Sequence, residues 1–334
     1  MTINLKESFE ILLVTYNRKP FLESTLQQLL ADNSPVKKVS ITILDNCSTD
    51  GTAELIDSFC VKYPNIKHIR HTRNIGGNAN IARAFELATH EYFWVLADDD
   101  TYDFTHWNEV EEEMEKGTNL IVVNRELLPR KKTPFAPAEL IRLLTFVPAA
   151  IHRSDSLDEA TMMNIYYTAP FWFSQLAAIA PVINHHKSIA VLSSNIVKTG
   201  ENDNNKGLNP HRTLAGLARP YKMTFFGANY LKSLALFEDL DVRNQAALYE
   251  YNHKQSVFGK GFRIARTNII ECDNNLQNYT ATLSCFSFGN KFLFLAGIVA
   301  GHLSAIFTFP YFIHKRKKIN ALLKKAQEKG NTKQ

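Results

Sequence analysis

Three consecutive aspartates, Asp98–Asp100, are the residues of this chain that are best suited to chemistry. They directly follow the run Phe93–Ala97, whose aromatic and β-branched residues predict a strand buried on both faces. Adjacent carboxylates repel one another unless a cation lies between them. Oxygen ligands of this kind suit Mg²⁺ or Mn²⁺, so we predict a divalent metal site here. A solvated acidic loop is the alternative that this motif alone leaves open.

In the N-terminal half, apolar runs alternate with helical segments, and these predicted strands and helices would hold the aspartates in place. Apolar runs at residues 9–15, 39–44 and 66–69 each end in a polar turn, and each is followed by a predicted helix. The fourth strand is the one that ends at the aspartates. This alternation predicts an α/β fold with a Rossmann-like, mainly parallel sheet that is flanked by helices.

Parallel strands end at a common edge of the sheet, and α/β proteins bind their ligands there. Thr15–Asn17, Asp45 and the aspartates would therefore face one ligand. Gly76 and Gly77 precede a helix, which lets the backbone approach an anion closely. The four turns predict a nucleotide site that has neither a P-loop nor a G-x-G-x-x-G motif. The alternative is that the turn after Asp45 only caps a helix.

Four segments carry a resemblance to a known family: VTYNR at 14–18, LDNCSTDGT at 44–52, RNIGGNANIARAFELA at 73–88 and VLADDD at 95–100. In this order and at this spacing the chain resembles the nucleotide-sugar half of glycosyltransferase family 2, which has the GT-A fold. The resemblance covers about residues 9 to 125 and continues more loosely to about 200. It implies inverting transfer of a sugar from a nucleoside-diphosphate sugar, with Mn²⁺ or Mg²⁺ as cofactor.

The resemblance also implies roles for single residues. Asp45 would bind the nucleobase, and Asp100 would be the main metal ligand with Asp98 close to both the ribose and the metal. The metal ligands are thus expected to be Asp98 and Asp100. The residues expected to bind the donor are Thr15, Tyr16, Asn17, Asp45, Asn74, Gly76, Asp98 and Asp99.

An inverting transfer needs a general base for the acceptor hydroxyl. In the family this base is usually the Asp of a Glu-Asp pair, but the corresponding segment here, Tyr166–Ala177, has no carboxylate. Its aromatic residues would stack on a sugar acceptor or lie in the core. The base is expected among Glu201, Asp203 and Asp155, with Asp158 and His185 as further candidates. For any one of them an ordinary solvated loop residue is the competing interpretation.

The last third of the chain has no counterpart in the resemblance. We therefore predict a GT-A domain at residues 1–220 and a helical C-terminal extension at 221–334. Residues 292–313 contain no Asp, Glu, Lys or Arg, and Lys315–Lys318 follow at once. A single membrane span would place these basic residues outside, against the positive-inside rule. We predict a helix lying in the membrane surface with its basic tail on anionic lipid; a soluble helical subdomain and a true span stay open.

Composition limits the remaining possibilities. The chain has 334 residues, of which 45% are hydrophobic and 21% charged, as is ordinary for a globular protein of one or two domains. The net charge of +5 comes from the basic tail, so nucleic-acid binding is not indicated. The charged N-terminal residues predict no signal peptide, and the four scattered cysteines predict reduced thiols.

Together these features predict a bacterial-type, metal-dependent inverting glycosyltransferase that is peripheral on the cytoplasmic face of the cell membrane. Its acceptor would be a glycan or a lipid-linked oligosaccharide in cell-surface polysaccharide synthesis, such as O-antigen or capsule assembly. One alternative is a sugar nucleotidyltransferase, although such enzymes have a Gly-rich, Arg-containing loop where this chain has TYNRKP. The other is a non-catalytic nucleotide-sugar-binding scaffold, since the Glu-Asp pair is missing.

Overall fold

The computed structural model describes residues 4–124, 135–171, 173–198, 229–250, 253–254, 256–271 and 276–304. The chain divides into two compact units, residues 1–201 and 202–334. The domain boundary that the sequence predicts at residue 220 lies outside the described residues and stays a prediction.

A seven-stranded sheet lies at the centre of the first unit, with strand order β3-β2-β1-β4-β7-β6-β8. Only β7 is antiparallel to its neighbours in this sheet, so the predicted mainly parallel α/β architecture is confirmed. A separate short pair joins β5 to β9. The strands are β1 (Phe9–Thr15), β2 (Ser40–Asp45), β3 (Ile66–Arg70), β4 (Tyr92–Leu96), β5 (Thr101–Tyr102), β6 (Leu120–Val122), β7 (Ala150–Arg153), β8 (Ile189–Val191) and β9 (Val197–Lys198).

The described part of this unit has eight α-helices, the first of which precedes β1: α1 (Leu5–Ser8), α2 (Lys19–Leu29), α3 (Thr52–Lys62), α4 (Gly77–Glu86), α5 (Trp107–Glu115), α6 (Pro137–Leu143), α7 (Glu159–Thr168) and α8 (Ser174–Asn184). Pro20 suits the first turn of α2, since its missing N–H would have no helical partner there. Gly51 precedes α3 with a φ of 87°, a left-handed conformation that glycine adopts without strain.

The centre of the sheet is buried on both faces, as the apolar run before the aspartates predicts. All five residues of β4 are buried, and Trp94 has no exposed surface. The Trp94 indole N–H donates a hydrogen bond of 2.8 Å to the carbonyl of Pro148, which satisfies its one polar group. Since β1 and β4 are adjacent, this rigid centre fixes the loops at their carboxyl ends.

The second unit is mainly helical, as predicted for the C-terminal extension. Its described helices include Leu240–Leu248, Val257–Glu271, Leu276–Ser284 and the helix over 288–304. A short antiparallel pair joins Tyr249–Glu250 to His253–Lys254.

Glycines allow two of these helices to touch along their backbones. A Cβ atom added to Gly261 would lie 2.2 Å from the Phe294 carbonyl oxygen, and one added to Gly297 would lie 2.1 Å from that of Phe258. No larger residue fits at either position without moving a helix. Within the described ranges, no helix is long and apolar enough to cross a membrane.

His152 of β7 lies in the core of the first unit. Its ring stacks on Phe93 at a centroid distance of 5.3 Å and meets the edge of Phe85 at 5.3 Å. Burial lowers the pKa of His152 to about 3. The folded protein therefore keeps this imidazole neutral, whereas the unfolded chain takes up a proton below the ordinary pKa of about 6.5.

This difference predicts a pH dependence of stability. Between pH 6.5 and 4 the unfolded state binds the extra proton, so His152 lowers the free energy of unfolding by about 1.4 kcal/mol per pH unit as the pH falls. The variant His152→Phe should lose that part of the slope in urea unfolding measured at several pH values. The exposed His185→Gln is the matched control and should follow the parent protein. Parallel curves for His152→Phe and the parent would contradict the assignment.

Candidate functional site

The loops after β1, β2 and β4 meet at one edge of the sheet through direct hydrogen bonds. The Thr15 hydroxyl at the end of β1 donates to Asp98 Oδ2 at 2.6 Å. The Asn46 backbone N–H, just after β2, donates to the Thr15 carbonyl at 3.0 Å. β2 and β4 both run parallel to β1 and lie on opposite sides of it, so the strand order reverses at β1, which is the switch point where open α/β sheets bind ligands.

The cation between the aspartates is a protein side chain, the guanidinium of Arg18. Its Nε lies 3.1 Å from Asp98 Oδ1 and its Nη2 lies 2.5 Å from Asp99 Oδ2. The same guanidinium lies over the ring of Phe21, with Cζ 4.6 Å from the ring centroid. Sequence analysis did not single out Arg18. The sequence could have indicated Arg18, because it follows the predicted nucleoside-binding turn and adjacent carboxylates need a cation nearby.

The Asp98 carboxylate is buried, and burial disfavours its charged form. It is 5% exposed by side chain, and the Thr25 hydroxyl donates to its backbone carbonyl at 3.1 Å. Burial raises the pKa of Asp98 to about 6, although Arg18 and the Thr15 hydroxyl act in the opposite direction. Burial and the nearby carboxylates of Asp100 and Asp98 also raise the pKa of Tyr102 well above its usual range. Negative charge is thus concentrated at the end of β4.

Asp45 ends β2 with a fully buried carboxylate. Its Oδ1 accepts a hydrogen bond of 2.9 Å from the Ser48 backbone N–H. Its Oδ2 has no hydrogen-bond donor among the described residues, because the nearest cations, Arg70 Nε and His68 Nε2, lie 3.4 and 3.9 Å away as ion pairs. Burial alone would raise the pKa of Asp45, but the interactions with His68 and Ser48 lower it overall.

His68 and Arg70 are further residues that sequence analysis missed, both on β3 beside Asp45. His68 lies between two carboxylates, with Nδ1 2.7 Å from Asp57 Oδ1, and Asp45 and Asp57 together raise the pKa of His68. The Arg70 guanidinium donates to the Ser48 carbonyl at 2.8 Å. Because His68 and Arg70 are two residues apart on β3, their side chains lie on the same face of the sheet, and both contact Asp45 at the end of β2. Their spacing in the sequence could have indicated this.

Tyr16 and Asn17 of the predicted nucleoside pocket have different positions. The Tyr16 side chain is exposed at the site edge. Asn17 has a φ of 51°, and its backbone N–H donates to Ser48 Oγ at 2.8 Å while its Oδ1 accepts from the Thr49 N–H at 2.7 Å. Asn17 therefore holds the loops after β1 and β2 together, and Tyr16 is left open to a ligand.

Asn74 and Gly76 are tied to the same loop by Asn46. Asn46 Nδ2 donates to Asn74 Oδ1 at 2.9 Å, and its Oδ1 accepts from the Ile75 N–H at 2.9 Å. Gly76, with a φ of 90°, precedes α4. A cavity of about 700 Å³ opens at this helix end, lined by Ile75, Gly76, Gly77, Asn78, Ala79, Tyr166, Ala169 and Pro170.

The family of this chain is decided by its sequence match. Residues 10–180, just over half of the chain, match the model of Glycosyl transferase family 2. The chain belongs to glycosyl transferase family 2. The predicted family resemblance is thereby confirmed.

Two curated relatives match over short stretches. The abequosyltransferase RfbV of Salmonella typhimurium (strain LT2) is 37% identical over 87 residues, which are 26% of this chain and 26% of the relative. The uncharacterized glycosyltransferase MG025 of Mycoplasma genitalium is 31% identical over 98 residues, 29% of this chain and 33% of the relative. The chain thus matches about a quarter to a third of the length of these relatives.

Solved structures share the fold over a longer range. S. aureus TarS 1-349 in complex with UDP-GlcNAc has a TM-score of 0.54 and 15% sequence identity, covering 98% of this chain and 92% of that one. A longer S. aureus TarS structure has a TM-score of 0.58 and 15% identity, covering 86% of this chain and 50% of that one. At such identities the likeness shows the fold alone, and it confirms the GT-A expectation.

The structure does not bring Asp155, Asp158 or His185 to the acidic cluster. Arg153 at the end of β7 pairs with Tyr92, the first residue of β4, so Asp155 lies at the opposite edge of the sheet, about 20 Å from Asp98 at 3.3 Å per residue. There it is paired with Arg153. Sequence order could not reveal this, since it depends on β7 running antiparallel.

The other two residues also have structural roles at that edge. Asp158 caps α7 by accepting a hydrogen bond of 2.8 Å from the Thr161 N–H, and His185 ends α8 just before β8 begins. Neither is proposed as a base. Glu201 and Asp203 lie outside the described residues. The described stretch that precedes them ends at Lys198, which pairs with Thr101, the residue after Asp100.

The acidic cluster is compatible with a hard divalent cation. Carboxylate oxygens are the ligands that Mg²⁺ and Mn²⁺ prefer, and Asp98 and Asp100 are both buried at the strand end. Over the described ranges, no group of three or more His, Cys, Asp and Glu side chains is placed to hold a metal ion. A cation at this edge would therefore depend on ligand oxygens from its substrate in addition to the protein, as is usual for Mg²⁺.

Proposed function

We propose that this glycosyltransferase moves a sugar, with inversion, from a nucleoside-diphosphate sugar to a hydroxyl of a glycan acceptor. The observation that supports it most is the buried Oδ2 of Asp45. It lacks a hydrogen-bond donor among the described residues, and it lies on the same edge as the acidic residues Asp98 and Asp100. Family membership and the UDP-GlcNAc complex of the similarly folded TarS give the donor class.

Asp45 would recognise the nucleobase. A base N–H would donate to Asp45 Oδ2, while Ser48 keeps the other carboxylate oxygen in place. The exposed ring of Tyr16 would stack on the nucleoside, and Asn17 and Asn46 would hold the loops that form the pocket. The backbone of Thr15, Asn74 and Gly76 would surround this pocket.

Asp98 and Asp100 would hold a Mn²⁺ or Mg²⁺ ion, with Asp99 beside the donor. Such a cation, when bound, would neutralise the charge that develops on the leaving nucleoside diphosphate. The role of this chain is to keep the two carboxylates at fixed positions. Thr15 and Thr25 do so by donating to the Asp98 side chain and backbone, respectively.

Glu201 or Asp203 would act as the general base on the acceptor hydroxyl. The motivation is their place in the sequence, three and five residues after Lys198, which is paired beside the acidic cluster. The acceptor itself would enter through the cavity next to α4, where the ring of Tyr166 is half-exposed and suited to stacking on a sugar.

Membrane-surface attachment would bring a lipid-linked acceptor to this site on the cytoplasmic face, in the synthesis of a cell-surface polysaccharide such as O-antigen or capsule. The helix over 288–304 leaves large apolar side chains exposed: Phe288, Phe292, Leu293, Leu295, Val299 and Leu303. Lys315, Arg316, Lys317 and Lys318 follow in the sequence. An apolar face beside basic residues is the combination that binds anionic membrane surfaces.

The direct test of catalysis is turnover. Purified full-length protein should release nucleoside diphosphate from one member of a nucleotide-sugar panel when Mn²⁺ is present. The substitution Asp100→Asn should lower that rate by about a hundredfold or more, because fixed charge stabilisation is lost. The exposed Asp32→Asn is the control and should leave the rate unchanged. Full activity of Asp100→Asn at limiting Mn²⁺ would exclude Asp100 as a metal ligand, and no release from any donor would favour the scaffold alternative.

Nucleobase recognition is tested by affinity. Asp45→Asn keeps the shape of the side chain but offers a base N–H a neutral amide in place of a charged acceptor. A charge-assisted hydrogen bond contributes about 1.5–3 kcal/mol, so the Kd of the nucleotide sugar should rise about tenfold or more in calorimetric titration. Turnover of the bound complex should change less. Unchanged affinity with slower turnover would assign Asp45 to the chemical step instead.

The membrane proposal is tested by flotation of full-length protein with phosphatidylglycerol vesicles. The protein should float at low salt and less at high salt, because the basic residues each contribute about 1 kcal/mol near an anionic surface. Replacing exposed Phe292 and Val299 by Ser should reduce flotation. Val61→Ser, which removes an even more exposed apolar residue from the first unit, should not. Full-length protein that stays at the bottom at low salt would overturn the proposal.

A further inference from the structure

Arg18 already occupies the acidic cluster that the proposed function assigns to a divalent cation. Both oxygens of the Asp98 carboxylate are engaged, Oδ1 by Arg18 Nε at 3.1 Å and Oδ2 by the Thr15 hydroxyl at 2.6 Å. The other end of the guanidinium holds Asp99. A cation that coordinates Asp98 would therefore meet a fixed positive charge a few ångströms away, and like charges at that distance repel strongly.

We propose that Arg18 is a built-in counterion of the acidic cluster, which gives up its place only when a divalent cation enters together with a nucleoside diphosphate. This inference rests on the proposed function. The inference adds to the proposed function a coupling between two ligands: the protein alone has low affinity for the metal, and the metal and the nucleotide bind cooperatively.

The side chain of Arg18 is suited to such an exchange. Arginine bridges two carboxylates with a planar fork, so one residue compensates Asp98 and Asp99 at the same time. The side chain is one-third exposed, and it lies over the ring of Phe21, which can retain the stem while the guanidinium turns.

A nucleoside diphosphate offers Arg18 a replacement partner. Diphosphate oxygens accept the same paired hydrogen bonds as carboxylates do. When the guanidinium moves from Asp98 to the diphosphate, it leaves the carboxylate oxygens to the metal and adds a positive charge beside the leaving group. Because binding is linked, the nucleotide should raise the affinity for Mn²⁺ by the same factor by which Mn²⁺ raises the affinity for the nucleotide.

The experiment measures Mn²⁺ binding to full-length protein, by the loss of the free-ion electron paramagnetic resonance signal, with and without UDP, GDP or dTDP. The parent protein should bind Mn²⁺ weakly alone and at least about tenfold more tightly with its nucleotide. Arg18→Gln should bind Mn²⁺ alone about tenfold more tightly than the parent, because the competing charge is gone, and it should show little further gain with nucleotide. Arg18→Lys, which keeps the charge without the fork, should lie between the two.

Two controls separate this role from a general effect of charge or folding. Lys116→Gln removes one positive charge from an exposed ion pair with Glu113 and should bind Mn²⁺ as the parent does. The melting temperature of Arg18→Gln should fall without metal and recover when Mn²⁺ is added, which a merely destabilised protein would not show.

The outcomes distinguish the counterion role from the proposed function. If Arg18→Gln binds Mn²⁺ like the parent while Asp100→Asn has lost binding, the metal site stands and the role of Arg18 is overturned. If no variant binds Mn²⁺ with or without any of the three nucleotides, the metal-dependent function itself fails, and the role of Arg18 fails with it.

Discussion

A carboxylate buried at the end of a strand must be compensated, and the site of this protein depends on how Asp98 meets that requirement. The Thr15 hydroxyl and the Arg18 guanidinium compensate its side chain, and both belong to the strand end and turn of β1. Thr15 also accepts from Asn46, next to Asp45. The hydrogen bonds of Thr15 to Asp98 and Asn46 thereby connect the loops after three strands. The sheet beneath these loops needs a rigid centre to hold them in place.

The rest of the first unit can be understood as the support for that edge. Strand β4, which is fully buried, and strand β1, where all residues but Val14 are buried, fix the positions of Thr15 and Asp98. Asn46 fixes the start of α4 through its bonds to Asn74 and Ile75. Charges that would disturb the core are excluded, as the neutral His152 shows. Asp45 Oδ2 has ion-pair contacts with Arg70 and His68 but accepts no hydrogen bond from the described residues, and a nucleotide sugar at this edge would supply a donor.

Much of the fold and part of the site could be predicted from the sequence, because both depend on local patterns. Apolar runs that end in polar turns located β1 to β4, and the aspartates marked the end of β4. Arg18, His68 and Arg70 were missed, since their importance depends on which carboxylates lie across from them on neighbouring strands. Asp155 was among the predicted candidates for the general base, but the antiparallel direction of β7 carries it to the other edge.

Whether Asp98 and Asp100 hold the metal is tested most directly by locating the bound ion. Its position can be read from the paramagnetic broadening of threonine methyl signals by Mn²⁺ in the presence of nucleoside diphosphate. The hydroxyls of Thr15 and Thr25 both donate to Asp98, whereas Thr118 and Thr161 lie with Glu113 and Asp158 at the opposite edge. We predict that the signals of Thr15 and Thr25 broaden first and most strongly. Broadening that begins at Thr118 or Thr161, or uniform broadening of all four, would contradict it.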